Sequence, residues 1–251
     1  MENLFNKLFD AIYCIRYVKR GPLSGPIFDE FQRVGIVDSN KLETVYSVDM
    51  PQNTVYYRYM NGYEREEHKL IDRYIHVTMT HYQVIKTAYE LGLNTILILE
   101  DDIVFLKDIN RINNILSLYS DKVPITLFDY TELNERGVQI MPEYHKFNAG
   151  LLSSCYALNR EGMEYLIYCI ECGPIYEIDK YFSNCALNFA GNHNGVYVPT
   201  CELPLIVASD TRVCIQTYNN FTEYYHEAYD DTSFLNDVDY EQYNLESYIK
   251  T

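Results

Sequence analysis

The sequence predicts a single α/β domain with a doubly wound, Rossmann-like and mainly parallel sheet. Short apolar runs typical of strands alternate with longer stretches of helical periodicity, which is the pattern of a parallel sheet with crossover helices. Residues 95–99 form an unbroken apolar run, typical of a strand buried on both faces. The 251 residues are 47% hydrophobic, enough for one sizeable core.

The first hundred residues predict the order β-α-β-α-β. Strands are expected at 11–16, 44–48 and 95–99, and helices at 28–34 and about 64–91. Gly35 and Gly92 each follow the last periodic residue of a helix, where glycine commonly ends one.

The rest of the chain continues this alternation less regularly. Helices are expected at 109–119, 160–170 and 178–189, strands at 123–128, 155–158, 196–198 and 205–207, and irregular chain from the end of the first of these strands through 141. From about residue 221 the sequence is acidic and Tyr-rich, with few aliphatic side chains. We therefore expect one domain over 1–220 and a surface-wrapping tail over 221–251.

Charge and composition argue against several classes of protein. Thirty-six acidic residues against 20 Lys and Arg give a net charge of -16, which repels nucleic acid and anionic membrane surfaces. The first residues lack the pattern of a signal peptide, and no run approaches the roughly 18 apolar residues of a membrane span. A cytoplasmic protein without a transmembrane segment or a nucleic-acid partner is expected.

The cysteines are expected to be free thiols, since they number seven and no export signal precedes them. Cys169 and Cys172 form a C-x-x-C inside an apolar helical pattern, without a second pair at metal-ligand spacing. Both are expected to be buried thiols.

Three adjacent carboxylates, Glu100, Asp101 and Asp102, directly follow the central apolar run. In open α/β sheets ligands bind at the carboxyl ends of strands, and three like charges crowded there repel one another unless a cation neutralises them. Oxygen ligands favour Mg²⁺ or Mn²⁺, which commonly bridge carboxylates to nucleotide phosphates. The alternative is a helix that begins at Asp101 or Asp102, with the acids at the positive end of its dipole.

His81 shares a helical face with Val84, Ile85 and Ala88, so its side chain is expected to point inward. A histidine on an apolar face is usually a core residue bonded to a backbone carbonyl. A role at a ligand site is the alternative.

Several segments together resemble glycosyltransferase family 25, the lipopolysaccharide-type and collagen-type galactosyltransferases. They are THY at 80–82, LILEDD at 97–102, Gly150, CYALNREG at 155–162, IDKYF at 178–182, VYVP at 196–199, Pro204-Leu205 and Ser209-Asp210. The resemblance spans about residues 10–212. It departs from the family at Tyr13-Cys14-Ile15-Arg16, where the family usually continues Ile-Asn-Leu. The next helix also lacks the basic residues at the spacing usual in the family after Arg20.

The resemblance implies a GT-A fold and the metal-dependent transfer of a hexose, galactose or glucose, from a UDP-sugar to a glycan or hydroxylated acceptor, as in lipopolysaccharide biosynthesis. It implies that Asp102, ahead of Asp101, binds Mn²⁺ or Mg²⁺, and that Glu100 faces the ribose or a metal-bound water. It supports a donor-site role for His81. Because many GT-A enzymes complete the metal shell with a late histidine, His226 and His193 are candidates.

The family's products have the inverted anomeric configuration, which requires a general base for the acceptor hydroxyl. The resemblance favours Asp179 for this role, with Glu177 as the substitute. The alternative is that Asp179 caps its helix.

Two other classes of function remain open. A non-catalytic GT-A-fold protein that binds a glycan or a nucleotide sugar is compatible with the altered first strand at Arg16. A metal-dependent phosphohydrolase would need further Asp or His ligands after other strands, and the sequence shows no such series.

Overall fold

The computed structural model describes residues 4–16, 26–37, 40–46, 68–132, 136–148, 150–151, 154–172, 178–179, 181–182 and 204–216. The helices are α1 (Leu4–Leu8), α2 (Pro26–Arg33), α3 (His68–Glu90), α4 (Ile109–Ser117) and α5 (Arg160–Cys172). The strands are β1 (Ala11–Arg16), β2 (Leu42–Tyr46), β3 (Thr95–Glu100), β4 (Ile103–Phe105), β5 (Ile125–Leu127), β6 (Thr131–Glu132), β7 (Gln139–Met141), β8 (Tyr144–Lys146), β9 (Gly150–Leu151), β10 (Cys155–Asn159), β11 (Ile206–Ser209) and β12 (Cys214–Gln216).

One large sheet organises the molecule, in the order β2-β1-β3-β10-β5-β11-β8-β7. Strands β2, β1, β3, β5, β11 and β7 run in one direction, whereas β10 and β8 run against them. Two small sheets pair β12 with β4 and β6 with β9. The predicted fold class, a single α/β domain with a Rossmann-like and mainly parallel sheet, is confirmed.

Alternation along the central strands divides the core into two layers, one on each face of the sheet. Ile12, Cys14, Leu97 and Leu99 pack on one face against α1, α2 and α4. The intervening residues of β1 and β3 pack on the other face against α3 and α5. The central strands are therefore buried on both faces, as their unbroken apolar sequence predicts.

The predicted helices and strands match the structure with small shifts of their ends. Helix α3 is continuous over its described length and is followed by Gly92, whose φ of 77° is the left-handed conformation that ends a helix. The stretch through 141 predicted to be irregular contains β6 and β7. The predicted strand at 196–198, most of the helix at 178–189 and the tail over 221–251 lie outside the described residues.

The described cysteines are free thiols, as expected. Cys169 is buried, but Cys172 is exposed, so the prediction of two buried thiols is wrong for Cys172. Cys172 is the last residue of α5 and, like Glu171 before it, is exposed where the helix ends. Within the described part of the chain, no helix is both long enough and apolar enough to span a membrane.

Candidate functional site

The site lies where the order of the sheet reverses. From β1 the chain passes through α2 to β2 on one side, and then through α3 to β3 on the other side of β1. The carboxyl ends of β1 and β3 therefore lie side by side, with Ile15 paired to Glu100. A crevice at such a switch point is the usual ligand site of an open α/β sheet.

The three predicted acids occupy this edge, and no helix begins among them. Glu100 is the last residue of β3, Asp101 and Asp102 form a turn, and β4 follows at once. The alternative prediction, a helix beginning at Asp101 or Asp102, is therefore wrong. The chain instead re-enters extended conformation because Ile103, Val104 and Phe105 are buried as a strand.

Strand β4 is fixed from the side of α2 by a buried carboxylate. Glu30, 2% exposed, accepts a hydrogen bond of 2.9 Å from the backbone N–H of Phe105. Arg33 pairs with Glu30 and also donates to the carbonyls of Phe105 and Leu106. The turn that carries the acids is thus held at its far end as well as by β3.

Asp101 pairs with an arginine from the neighbouring strand. The Nε atom of Arg16 lies 3.8 Å from Oδ2 of Asp101, and the two side chains are only 4% and 6% exposed. Arg16 directly follows Ile15, so the register of β1 and β3 brings the two groups together. This buried ion pair neutralises one of the three charges without a metal ion.

Glu100 and Asp102 both hydrogen-bond one amide group. The Nε2 atom of Gln216 lies 3.1 Å from Oε2 of Glu100 and 3.3 Å from each carboxylate oxygen of Asp102. Gln216 is the last residue of β12 and pairs with Ile103 of β4. The small β4–β12 sheet therefore brings a polar side chain across the carboxyl edge to two of the three acids.

His81 supports Glu100 from inside the core. It is completely buried, with Nδ1 2.7 Å from the hydroxyl of Tyr156 and Nε2 3.3 Å from Oε1 of Glu100. Burial lowers the pKa of His81 to about 3, so its ring is neutral at pH 7. A carboxylate only accepts hydrogen bonds, so Nε2 carries the hydrogen and Tyr156 donates to Nδ1.

The inward orientation predicted for His81 is confirmed, together with the burial of Val84, Ile85 and Ala88 on the same face. The expected backbone-carbonyl partner is replaced by a tyrosine hydroxyl and a site carboxylate. Because both ring nitrogens bond to protein groups, His81 acts on the carboxyl edge of the sheet through Glu100.

Asp129 is a fourth carboxylate at this edge, which sequence reasoning missed. It follows β5 and is completely buried. Its pKa is raised to about 6, because burial, with a smaller contribution from the charge of Asp102, outweighs the lowering effects of Arg212, the Ser154 hydroxyl and the backbone amide of Gln216. The signal was present in the sequence, because an apolar run ends in this acid just as the β3 run ends in Glu100.

Gln216 was also missed, because nothing local marks it as functional. Its position beside the acids follows from the pairing of β12 with β4, two segments more than a hundred residues apart in the chain. An uncharged amide also carries no signal of its own in a search for acids and histidines.

Asp179 lies in a short described helical stretch, half-buried beside the buried Ile178. In the same stretch, the ring of Phe182 packs edge-on against Tyr156, with centroids 5.0 Å apart. Through Tyr156 this stretch adjoins the hydrogen bonds that lead to Glu100. Glu177, His193 and His226 lie outside the described residues, and their proposed roles stay predictions.

Within the described ranges, no three His, Cys, Asp or Glu side chains are grouped closely enough to hold a metal ion by themselves. The donor chemistry nevertheless fits a hard cation in part. Glu100 and Asp102 converge on one point, and Gln216 contributes an amide whose oxygen is also a suitable ligand.

Comparison with known proteins finds similarity among solved structures only. No family model and no curated protein matches the sequence. Among solved structures, one titled "Crystal Structure of A197 from STIV" is similar with a TM-score of 0.40 and 11% identity, over 83% of this chain and 94% of that one. A glycosyltransferase involved in the glycosylation of the major capsid of PBCV-1 is similar with a TM-score of 0.40 and 10% identity, over 86% and 99%. Likeness at this level carries no conclusion about chemistry.

Proposed function

We propose that this protein is a metal-dependent, inverting glycosyltransferase that moves galactose or glucose from a UDP-sugar to a glycan or another hydroxylated acceptor. The observation that carries the proposal is the convergence of Glu100 and Asp102 on the amide of Gln216 at the switch point of the sheet. Two carboxylates held together at this edge suit a cation that also binds a diphosphate. The motifs that resemble glycosyltransferase family 25, and the GT-A fold they imply, support the same function.

Glu100, Asp102 and Gln216 are the candidate cation ligands. Carboxylate oxygens suit Mn²⁺ and Mg²⁺, and a half-turn of the Gln216 amide would present its carbonyl oxygen in place of its NH₂ group. A divalent ion held there would stabilise the negative charge that develops on the diphosphate as the sugar leaves. Asp101 is the weaker candidate because Arg16 already neutralises it. His226 remains a candidate from the sequence for a further ligand.

The net negative charge of the whole chain is a second reason to expect a cation at the site. With a net charge of -16, the protein repels a nucleotide diphosphate unless positive charge is concentrated at the site. Arg16 is buried in its pair with Asp101, so its positive charge is largely neutralised by Asp101 and contributes little to binding an anion. A bound divalent ion would supply the positive charge that attracts the diphosphate.

Asp179 is the candidate base on the acceptor side, with Glu177 as the substitute. A carboxylate in this role accepts the proton of the acceptor hydroxyl as that oxygen attacks the sugar from the face opposite the leaving diphosphate. The support is the resemblance at 178–182 and the contact between Phe182 and Tyr156, which puts the same helical stretch next to the supports of Glu100.

A second candidate function is a non-catalytic protein that binds a glycan or a nucleotide sugar. The ion pair of Arg16 and Asp101 favours it, because this pair sits at the point where the sequence departs from the family. Together with Gln216, it gives each of the three acids a protein partner. Turnover separates this candidate from a transferase.

Calorimetry with UDP tests the proposal. Wild-type protein is expected to bind UDP with Mn²⁺ present and to lose most affinity in EDTA, and Asp102→Asn should lose most of the Mn²⁺-dependent affinity while keeping the fold. The matched control is Asp121→Asn, the same chemical change at an exposed acid before β5, which should bind like wild type. Equal affinity for Asp102→Asn and wild type would remove Asp102 from the site.

Release of UDP then separates the two candidate functions. A transferase incubated with UDP-galactose or UDP-glucose, Mn²⁺ and a mixture of glycan acceptors should release UDP and yield a product heavier by one hexose in mass spectrometry. A binding protein should retain the intact nucleotide sugar and yield neither product.

A further inference from the structure

We propose that Asp129 is a positioning residue, which fixes the pair of Glu100 and Asp102 by holding the two chain segments that supply Glu100 and Gln216. What the pair binds rests on the proposed function. The positioning itself rests on contacts that the structure describes.

The first of these contacts runs through Ser154 to Glu100. The hydroxyl of Ser154 donates a hydrogen bond to Oδ2 of Asp129, and both side chains are buried. The carbonyl of the same serine accepts the backbone N–H of Glu100 at 2.8 Å. Asp129 therefore orients the residue to which the end of β3 is bonded.

The backbone of Asp129 is fixed at the same place. Its N–H and that of Phe128 both donate to the carbonyl of Cys155, at 3.1 and 2.9 Å. Cys155 is the first residue of β10, next to Ser154. The carboxylate and the backbone of Asp129 are thus both bonded to the chain segment that enters β10.

The second contact runs to the segment that carries Gln216. The carbonyl of Phe128, next to Asp129, accepts the backbone N–H of Val213 at 2.9 Å. The backbone amide of Gln216 also faces Asp129 and stabilises its charged form. Oδ1 of Asp129 makes no hydrogen bond with the described residues, so the amide of Gln216 lies near the carboxylate without a full hydrogen bond to this oxygen.

The burial of Asp129 supports a role beyond stability. A buried carboxylate with one oxygen lacking a hydrogen bond costs free energy that an apolar residue of similar size would not cost. Because Asp129 is 0% exposed, it does not reach a ligand in the crevice. Its effect on the site therefore passes through Ser154 and Gln216 and through its charge interaction with Asp102.

Hydrogen–deuterium exchange of the metal-free full chain tests the positioning directly. Asp129→Ala removes the carboxylate from both Ser154 and Gln216 but leaves the backbone bonds of 128–129, whereas Asp129→Asn keeps an acceptor for the Ser154 hydroxyl and loses only the charge that faces Gln216. We expect amides at 100–106 and 213–216 to exchange about tenfold faster in Asp129→Ala, the scale of one lost buried hydrogen bond. Asp129→Asn should show part of this effect, and α5 should be unchanged.

Binding of Mn²⁺ alone, followed by electron paramagnetic resonance of the free ion, supplies the second readout. Affinity should fall by about tenfold or more in Asp129→Ala and by less in Asp129→Asn, in the order of the exchange effects. The control is Thr126→Val, because Thr126 is buried on β5 and its hydroxyl has no hydrogen-bond partner among the described residues. This variant should match wild type in both readouts.

The outcomes separate the two proposals. Wild-type exchange at 100–106 and 213–216 in both Asp129 variants, or wild-type Mn²⁺ affinity despite faster exchange, overturns the positioning role. If wild type binds neither Mn²⁺ nor UDP, the proposed function fails, and exchange alone then decides the role of Asp129. Should Asp129→Ala not fold, Asp129→Asn and Ser154→Ala decide the question by the same readouts.

Discussion

The imidazole of His81 and the carboxylate of Glu100 lie 3.3 Å apart where α3 packs against the end of β3. Burial lowers the pKa of His81 to about 3, so the ring acts on Glu100 as a neutral hydrogen-bond donor and not as a counter-charge. The ring therefore orients the carboxylate of Glu100 without placing a positive charge beside it.

Acidification below pH 6.5 is expected to destabilise the protein through His81. The folded state takes up this proton near pH 3, whereas the unfolded chain takes it up near its ordinary pKa of 6.5. Between these values the unfolded state holds the additional proton. The free energy of unfolding therefore decreases as the pH is lowered, by up to about 1.4 kcal/mol per pH unit. Urea denaturation at several pH values measures this slope. His81→Gln lacks the titrating group, and a slope as steep as that of wild type would contradict the assignment.

Asp129 is expected to act in the opposite sense. Burial raises its pKa from 3.8 to about 6, so between these values the folded state holds the additional proton. Its contribution to stability is present at low pH and is lost as the pH rises through 6. Asp129→Asn removes this contribution. The free energy of unfolding should therefore decrease more steeply in this variant than in wild type as the pH is lowered from 6 to 4. The same denaturation series measures this, and an unchanged slope would count against a raised pKa.

Gln216→Glu is expected to increase the dependence of the protein on a divalent cation. The variant replaces an amide that donates to Glu100 and Asp102 with a third carboxylate, so repulsion should lower the melting temperature in EDTA. With Mn²⁺ the additional oxygen ligand should produce a larger upward shift of melting temperature than in wild type. Gln216→Leu removes the donor without adding a ligand and serves as the control. If Mn²⁺ raises the melting temperature of Gln216→Glu no more than that of wild type, Gln216 does not adjoin a cation site.

Gly162→Ala tests the packing of α5 on the sheet. A Cβ atom at Gly162 would lie 2.1 Å from the backbone carbonyl oxygen of Pro124, which the backbone cannot accommodate without moving α5. Overpacking of this kind typically costs about 1–3 kcal/mol. At Gly92 there is open space, and Gly92→Ala meets only the strain of a positive φ, about 1–2 kcal/mol. Chemical denaturation compares the two, and a Gly162→Ala variant as stable as wild type would contradict the close approach.

The features of the site that the sequence predicts correctly are those that depend on the pattern of neighbouring residues along the chain. The apolar run into Glu100 specifies both a strand and the edge at which its acids lie, and the helical face of His81 specifies its burial. The direction of β10 was not predictable, because a short apolar run has the same composition in parallel and antiparallel positions. Gln216 and Arg16 reach the acids only through pairing between segments far apart in sequence.

Asp129 shows the same limit for a residue with a local signal. Its apolar run is interrupted by Pro124 and Thr126 and ends in one acid instead of three, so an ordinary surface position after a strand explains it equally well. Only the position of Ser154, brought in by β10, shows that this carboxylate is buried at the site.

The last prediction concerns Asp179 as the base that takes the proton of the acceptor hydroxyl. Asp179→Asn removes this function while leaving Glu100, Asp102 and Gln216 unchanged, so affinity for UDP and Mn²⁺ should survive. Transfer should fall by roughly a hundredfold or more, the usual scale for the loss of general-base catalysis. UDP binding is measured by calorimetry and transfer by mass spectrometry of the glycosylated acceptor.

Glu177→Gln is the matched control for Asp179→Asn, since it removes a carboxylate two residues away and should be the milder change. A reversed order, with Glu177→Gln the more damaging, would exchange the two roles. Transfer by Asp179→Asn at nearly the wild-type rate, together with a lower melting temperature, would instead identify Asp179 as a structural residue of its helical stretch, where Ile178 before it is already helical. The ratio of transfer rate to UDP affinity therefore decides between a base and a structural residue, because only a base lowers the rate while affinity is kept.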